Sequence, residues 1–312
     1  MKKVFYYRYM ILLFSLMFFS CEEKISKVDL VVPKSRAILL GEINQLDEVQ
    51  LFWGIAGNLG KGTSHKAIQK GSLLLKDVNR KVSLPLSFSS KDKWQSDKIS
   101  ITPGSTYELN ANTDGFSSSA NVIVPEAVEV NNLTSQMIDG NVSLSLSIIN
   151  PTDKEVFCTI SLMQKEFYLS HQQESTSVQT ISSVPILTRD MDVDNNKYNE
   201  FETPFKTIFL RIAANGSKEL SFSSRDFYFD GFSSEYAVWV KSVDIKYYNY
   251  LYRSAIQNQE YNDTTVKRIQ LPTNVSNGIG IIGGCFKVVL PLRINTLDSK
   301  LVGKKDSNSK SI

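Results

Sequence analysis

Asp190, Asp192 and Asp194 alternate along the chain, with Asn195, Asn196, Asn199 and Glu200 close behind. Hard oxygen donors gathered in this way are the raw material of a calcium loop. The EF-hand pattern needs glycine at its sixth position and glutamate at its twelfth, and this chain has Asn195 and Phe201 there. The three aspartates are therefore a weak calcium candidate beside a plainer reading, an exposed acidic loop. Gly278-Ile279-Gly280-Ile281-Ile282-Gly283 spells the glycine fingerprint of a dinucleotide site. That chemistry needs a strand before it and a helix N-terminus after it, so that backbone amides and the helix dipole meet the pyrophosphate. Here a polar loop precedes, and a strand-like run interrupted by Pro291 follows, so the nucleotide reading fails. We predict instead a structural turn leading into a strand over 285–292. Some of its glycines should sit at positive φ or where no Cβ fits.

His65 and His171 are the only histidines. No Gly-x-Ser-x-Gly surrounds any serine and no His-Glu-x-x-His occurs, which argues against a hydrolase triad and a zinc site. No cofactor is implied. A carboxylate pair for glycoside hydrolysis stays open as an alternative, because its spacing is spatial rather than sequential. Tyr247, Tyr248, Tyr250 and Tyr252, with Trp239 before them, could form a stacking platform for sugar or peptide. They fall on several faces of a helix, so packing on a sheet is the favoured reading. Trp53 reads as core, and Trp94, between Lys93 and Gln95 near a turn, as the tryptophan most exposed. Cys158 and Cys285 lie in apolar strand-like runs and read as buried free thiols.

The elements that must position these residues follow a leader. Lys2, Lys3 and Arg8 precede an apolar run from Met10 to Phe19 broken only by Ser15. A ten-residue helix is only about 15 Å long, too short for a hydrocarbon core of roughly 30 Å. The run reads as a secretory signal rather than a membrane anchor. Ser20-Cys21 closes it as in a bacterial lipobox, which makes Cys21 the expected lipidation site and residues 1–20 a cleaved signal peptide. Glu22, Glu23 and Lys24 open a polar tether over 21–34; the two acids resemble the surface-export signal of some bacterial lipoproteins, and their plainer reading is a solvated tether. Both remaining cysteines would then lie beyond the inner membrane.

Lys2, Lys3 and Arg8 also account for the whole formal excess of +3, so the mature chain is neutral. Without a basic stripe, nucleic-acid binding is excluded. Short runs rich in Val, Ile, Tyr, Ser and Thr, punctuated by turns, predict a mainly β protein of two β-sandwich-like domains. The N-terminal one, Ig-like, covers 35–127. It includes strands over 98–102 and 106–112, paired as a hairpin across Pro103-Gly104. A second β-rich domain covers 128–295. Val142, Leu144, Leu146 and Ile148 alternate with serines and define one buried face. One helix is predicted over 244–257, capped by Ser242 or Asp244. Residues 296–312 read as a disordered tail.

Four features in order then carry a resemblance. They are the lipobox cysteine with Val31-Val32-Pro33 and Ile38-Leu39-Leu40-Gly41-Glu42-Ile43; Ile101-Thr102-Pro103-Gly104-Ser105-Thr106-Tyr107-Glu108-Leu109 with Val122-Ile123-Val124-Pro125; a strand running into Asn150-Pro151-Thr152-Asp153; and Pro272-Thr273-Asn274-Val275-Ser276-Asn277-Gly278-Ile279-Gly280 after a Tyr-rich helix. Together these resemble the domain-of-unknown-function 4249 family of Bacteroidota lipoproteins. The third feature departs from the family, with Asn150-Pro151 and Phe157-Cys158 standing in for an Asp-Pro turn and Asn-Tyr-Tyr. The family has no established activity or catalytic residues. Its members often accompany TonB-dependent outer-membrane receptors, so the resemblance implies an outer-membrane lipoprotein without enzymatic activity. It would serve as an accessory or ligand-binding partner of such a nutrient transporter. The alternatives are a carboxylate-based surface hydrolase and a structural or adhesive surface protein.

Overall fold

The computed structural model describes residues 36–56, 65–89, 92–96, 100–138, 141–168, 178–190, 192–194, 204–225, 234–260 and 270–292. The leader, Cys21, the tether, His171 and the C-terminal tail lie outside the described residues. The first part of the chain forms β1 (Arg36–Ile43), β2 (Val49–Ala56), β3 (His65–Ala67), β4 (Ser72–Asp77), β5 (Val82–Phe88), β6 (Trp94–Ser96), β7 (Thr106–Thr113) and β8 (Phe116–Ile123). There follow β9 (Glu129–Ile138), β10 (Asn141–Ile149), β11 (Val156–Tyr168), β12 (Val178–Val184), β13 (Ile208–Ile212), β14 (Ser217–Ser224) and β15 (Ser234–Val243). Helix α1 (Ile245–Glu260) precedes β16 (Val275–Ser276) and β17 (Gly278–Pro291). The protein is mainly β, sandwich-like, with one helix near the C-terminus.

Fourteen strands pair in one continuous sheet, ordered β12-β11-β15-β17-β1-β2-β6-β5-β4-β7-β8-β16, with β13 on β11 and β3 on β2. A separate sheet runs β14-β10-β9. Among the described residues two large apolar cores result, with a smaller cluster of Phe209, Val243, Tyr247, Tyr248, Ile281 and Cys285 beside α1. In the first, Leu39, Ile43, Leu51 and Trp53 face Leu73, Leu75, Leu109 and Val122. In the second, Val142, Leu144, Leu146 and Ile148 of β10 face Cys158, Ile160, Leu162, Val238 and Val240. The serines between those β10 residues are only half-buried, as period-two alternation requires. β17 serves both: Ile282 lies in the first core, while Phe286, Val288 and Leu290 pack against the second.

Of the predicted turn over 277–284 only Asn277, at φ +56°, is a turn residue; the rest is strand. Residues Gly278 to Gly284 pair in parallel with Ala37 to Ile43, so the glycines form the start of β17 rather than a lead-in to it. Their small size is nonetheless used. Gly280 has φ +108°, and a Cβ there would meet the carbonyl oxygen of Leu39; one on Gly283 would meet the Tyr247 ring. Pro103-Gly104 is a turn, but β7 pairs with β8 around Asp114-Gly115 and with β4, not with residues 100–102; residues 98 and 99 of that predicted strand lie outside the described residues. The Asp-Gly pair, with Gly115 at φ +93°, is the stronger two-residue hairpin signal. Trp94 is buried, not exposed. Its place in β6 opposite Leu51 sets its ring 5.4 Å from Trp53 and 5.8 Å from Phe88, and its Nε1 donates to Ile68 O at 2.8 Å.

Candidate functional site

The outer face of the sheet, turned away from the second core, carries the polar chemistry. β15 and β17 are antiparallel, which sets Lys241 directly opposite Lys287. β11 sets Thr159 beside Lys241 and Ser161 beside Trp239. Like charges facing each other across strands repel, so each ammonium needs its own counter-charge. Lys241 Nζ donates to Glu42 Oε2 at 2.7 Å and to Oε1 at 2.9 Å. Lys287 Nζ donates to Asp47 Oδ2 at 2.8 Å and lies 3.5 Å from the centroid of the Trp239 ring. Gln45 fastens the same strand by donating to Lys287 O and accepting from Lys287 N.

Helix α1 covers one end of this face. Its start is set by Asp244, whose Oδ1 accepts from the amides of Lys246 and Tyr247, the N-cap arrangement predicted for that residue. Tyr247 then reaches the ion pair, its hydroxyl donating to Glu42 Oε2 at 2.9 Å. Burial pushes the Glu42 pKa up, but the Lys241 charge and the hydrogen bonds from Lys241 and Tyr247 outweigh it and hold the carboxyl below its ordinary value. Burial likewise works against the Lys241 ammonium, and Glu42 more than offsets it, so its pKa is raised. Cys285 lies in the same buried cluster, and desolvation keeps its thiol protonated.

Beside this knot a cleft of about 620 Å³ opens between α1, the sheet face and residues 204–207. Its apolar lining includes Met163, Phe209, Trp239, Leu251 and Ala255. Thr159, Ser161, Ser183 and Thr207 supply hydroxyls, and Lys206 and Lys241 supply the charge. No carboxylate lines it among the described residues. The size and the mix of aromatic walls with a few polar groups are those of a small-molecule site.

The acidic triplet lies elsewhere and divides. Asp190 and Asp192 hold Lys218 Nζ at 3.2 and 2.7 Å. Asp194 is buried; its Oδ2 accepts from Arg211 Nε at 2.9 Å and from the Tyr248 hydroxyl at 2.6 Å. Among the described residues no three His, Cys, Asp or Glu side chains gather closely enough to hold a metal ion. The tyrosines pack on the sheet: Tyr247 and Tyr248 are buried, and Tyr248 stacks on Tyr252 at 6.3 Å. Of the predicted platform, only Trp239 and Tyr247 reach the cleft. Cys158 and Cys285 are free and buried, with burial pushing the Cys158 thiol up to about 12.

Sequence reading overlooked Glu42, Asp47, Lys241, Lys287, Lys206 and Thr159. A signal was present for three of them. Glu42, Lys241 and Lys287 each fall inside an apolar stretch of their strand, and a charge in such a stretch marks a buried partner of opposite sign.

Comparison with known proteins adds the following. No curated protein matches the chain. Among solved structures, the sporulation control protein Spo0M of Bacillus subtilis is 7% identical at a TM-score of 0.26, covering 54% of this chain and 49% of its own. The chain thus spans about half the length of that protein. A candidate carbohydrate binding protein of Bacteroides uniformis is 9% identical at a TM-score of 0.21, covering 82% of this chain and 98% of its own. Chitinase ChiA74 of Bacillus thuringiensis is 12% identical at a TM-score of 0.16, covering 61% of this chain and 27% of its own. TM-scores this low do not mark a shared overall fold. The model of the family described as a domain of unknown function, DUF4249, matches residues 43–288 and so takes in β2 through most of β17, with the cleft. The chain belongs to the DUF4249 family.

Proposed function

We propose that this chain is a lipid-anchored outer-membrane protein, exposed at the cell surface, that binds a small ligand without transforming it as an accessory of a TonB-dependent nutrient transporter. The observation that carries the binding role is the cleft over β11 and β15, with aromatic walls, a row of hydroxyls and no lining carboxylate among the described residues. A carboxylate-based hydrolase needs two acids flanking its substrate. Glu42, which sits behind the lining residues Lys241 and Tyr247, is taken by both of them. Neither the family description nor the described residues indicate catalysis. The anchor rests on the leader and Cys21. No described helix is long and apolar enough to cross a membrane.

Co-purification of the native lipoprotein from solubilised outer membranes tests the partnership: a TonB-dependent receptor should accompany it. A chain that migrates alone under every mild detergent counts against the accessory role. The anchor is tested separately. One acyl chain holds a protein only marginally, so bacterial lipoproteins carry several. Cys21→Ala should leave unlipidated precursor and release the protein from the membrane. Radioactive fatty acid retained in that variant would refute the anchor.

A further inference from the structure

Building on the ligand-binding reading, we infer that the cleft takes a small organic anion: an aromatic or aliphatic body bearing one carboxylate, sulfonate or phosphate group. Charge is the first ground. Lys241 is already held by Glu42, so its positive charge is matched within the protein. Lys206 lines the same cleft, is exposed, and pairs with no carboxylate among the described residues. Among the described residues the cleft therefore holds an excess of one positive charge, which repels cations and attracts an anion.

The second ground is Thr159. Its side chain lines the cleft although the residue is 4% exposed, and its hydroxyl has no partner among the described residues. That leaves the hydroxyl available to donate into the cleft, where an anionic oxygen would accept a charge-assisted hydrogen bond from it. Its position is fixed by the sheet, one strand over from Lys241. The third ground is the apolar remainder. Phe209, Leu251, Met163 and Ala255 offer nothing to an anion as small as free phosphate, but they match an attached hydrocarbon or ring.

A matched pair of dyes tests this on the mature chain. 8-Anilinonaphthalene-1-sulfonate carries the anion; N-phenyl-1-naphthylamine has the same aromatic body without it. Both brighten in an apolar site. The sulfonate should saturate at one site per chain and bind at least about tenfold more tightly than the neutral dye, the value of one charge-assisted hydrogen bond. Lys206→Gln should remove most of that preference and Lys206→Glu should reverse it, with the thermal midpoint unchanged because Lys206 is exposed. Thr159→Val should weaken the sulfonate and spare the neutral dye. Equal affinity for both dyes, indifferent to Lys206→Glu, overturns the anion inference and leaves the binding role standing. Failure of both dyes to bind, with Trp239 emission unmoved, overturns the binding role as well.

Discussion

The buried Glu42 carboxylate makes a pH prediction at the scale of single residues. Its pKa in the fold lies below the ordinary 4.5, so the stability it contributes is fully present above that value and is lost as pH falls through the depressed one. Lys241 has the opposite sign: raised above the ordinary 10.5, it contributes stability below that value and loses it as pH rises further. Glu42→Gln should therefore cost most between 4.5 and 10.5 and progressively less in stronger acid. Removing one member of a fully buried pair costs about 3–5 kcal/mol. Each side chain here keeps 20% exposure, so about 2–3 kcal/mol at pH 7 is expected. Urea unfolding at pH 7 and pH 3 measures it, and a gap that widens in acid would contradict the assignment. Glu42 was readable as an anomaly in an apolar strand, but not its partner. Lys241 is 199 residues away, and only the insertion of β17 between β1 and β15 brings the two together.

At the scale of elements, α1 and β17 contrast. The helix was legible because its signals are local: a cap, then apolar residues at helical spacing. Asp244 Oδ1 caps two amides, while Oδ2 is buried without a partner among the described residues. Burial accordingly raises the Asp244 pKa despite the capping bonds. Asp244→Ala should cost about 1 kcal/mol, whereas Asp244→Ser, which keeps one capping oxygen and drops the unpaired one, should lie near the parent. Thermal melts of the two variants decide it; equal losses would show that capping is not what Asp244 supplies. The glycine-rich first half of β17 was misread because its partner is not local, whereas its second half was read as strand. Glycine-rich sequence reads as turn until β1, some 240 residues earlier, is laid against it. Gly280→Ala combines a positive φ with a collision against the Leu39 carbonyl. It should cost more than the ~1 kcal/mol of a helix-interior glycine. A flexible, ligand-gripping loop would instead leave the denaturation midpoint in place.

At the scale of the whole molecule, the mainly β character was plain from composition and alternation, and β10 shows it best. What alternation cannot reveal is strand order. Nothing in the residues of β1 says that one neighbour is the next strand and the other the last. Because β17 gives side chains to both cores, its amides and those of β1 should exchange with solvent only through global opening. The ends of the sheets, β12 and β9, each have one edge unpaired among the described strands and should exchange sooner. Hydrogen-exchange mass spectrometry compares them directly, and exchange in β17 as fast as in β12 would sink the idea of a shared central strand.

The same parallel pairing constrains when the fold can exist. A ribosome that has just finished β1 must add every intervening strand before β17 emerges, on the order of tens of seconds at ordinary rates. Throughout that interval β1 lacks one of its two neighbours, Glu42 lacks Lys241 until β15 is made, and the first core lacks Ile282. The nascent chain thus cannot lock into its final form early. On the proposed secretory reading of the leader, the chain must be threaded through a membrane before it folds, and placing the closing strand at the far end of the message would keep it threadable for as long as it is being made.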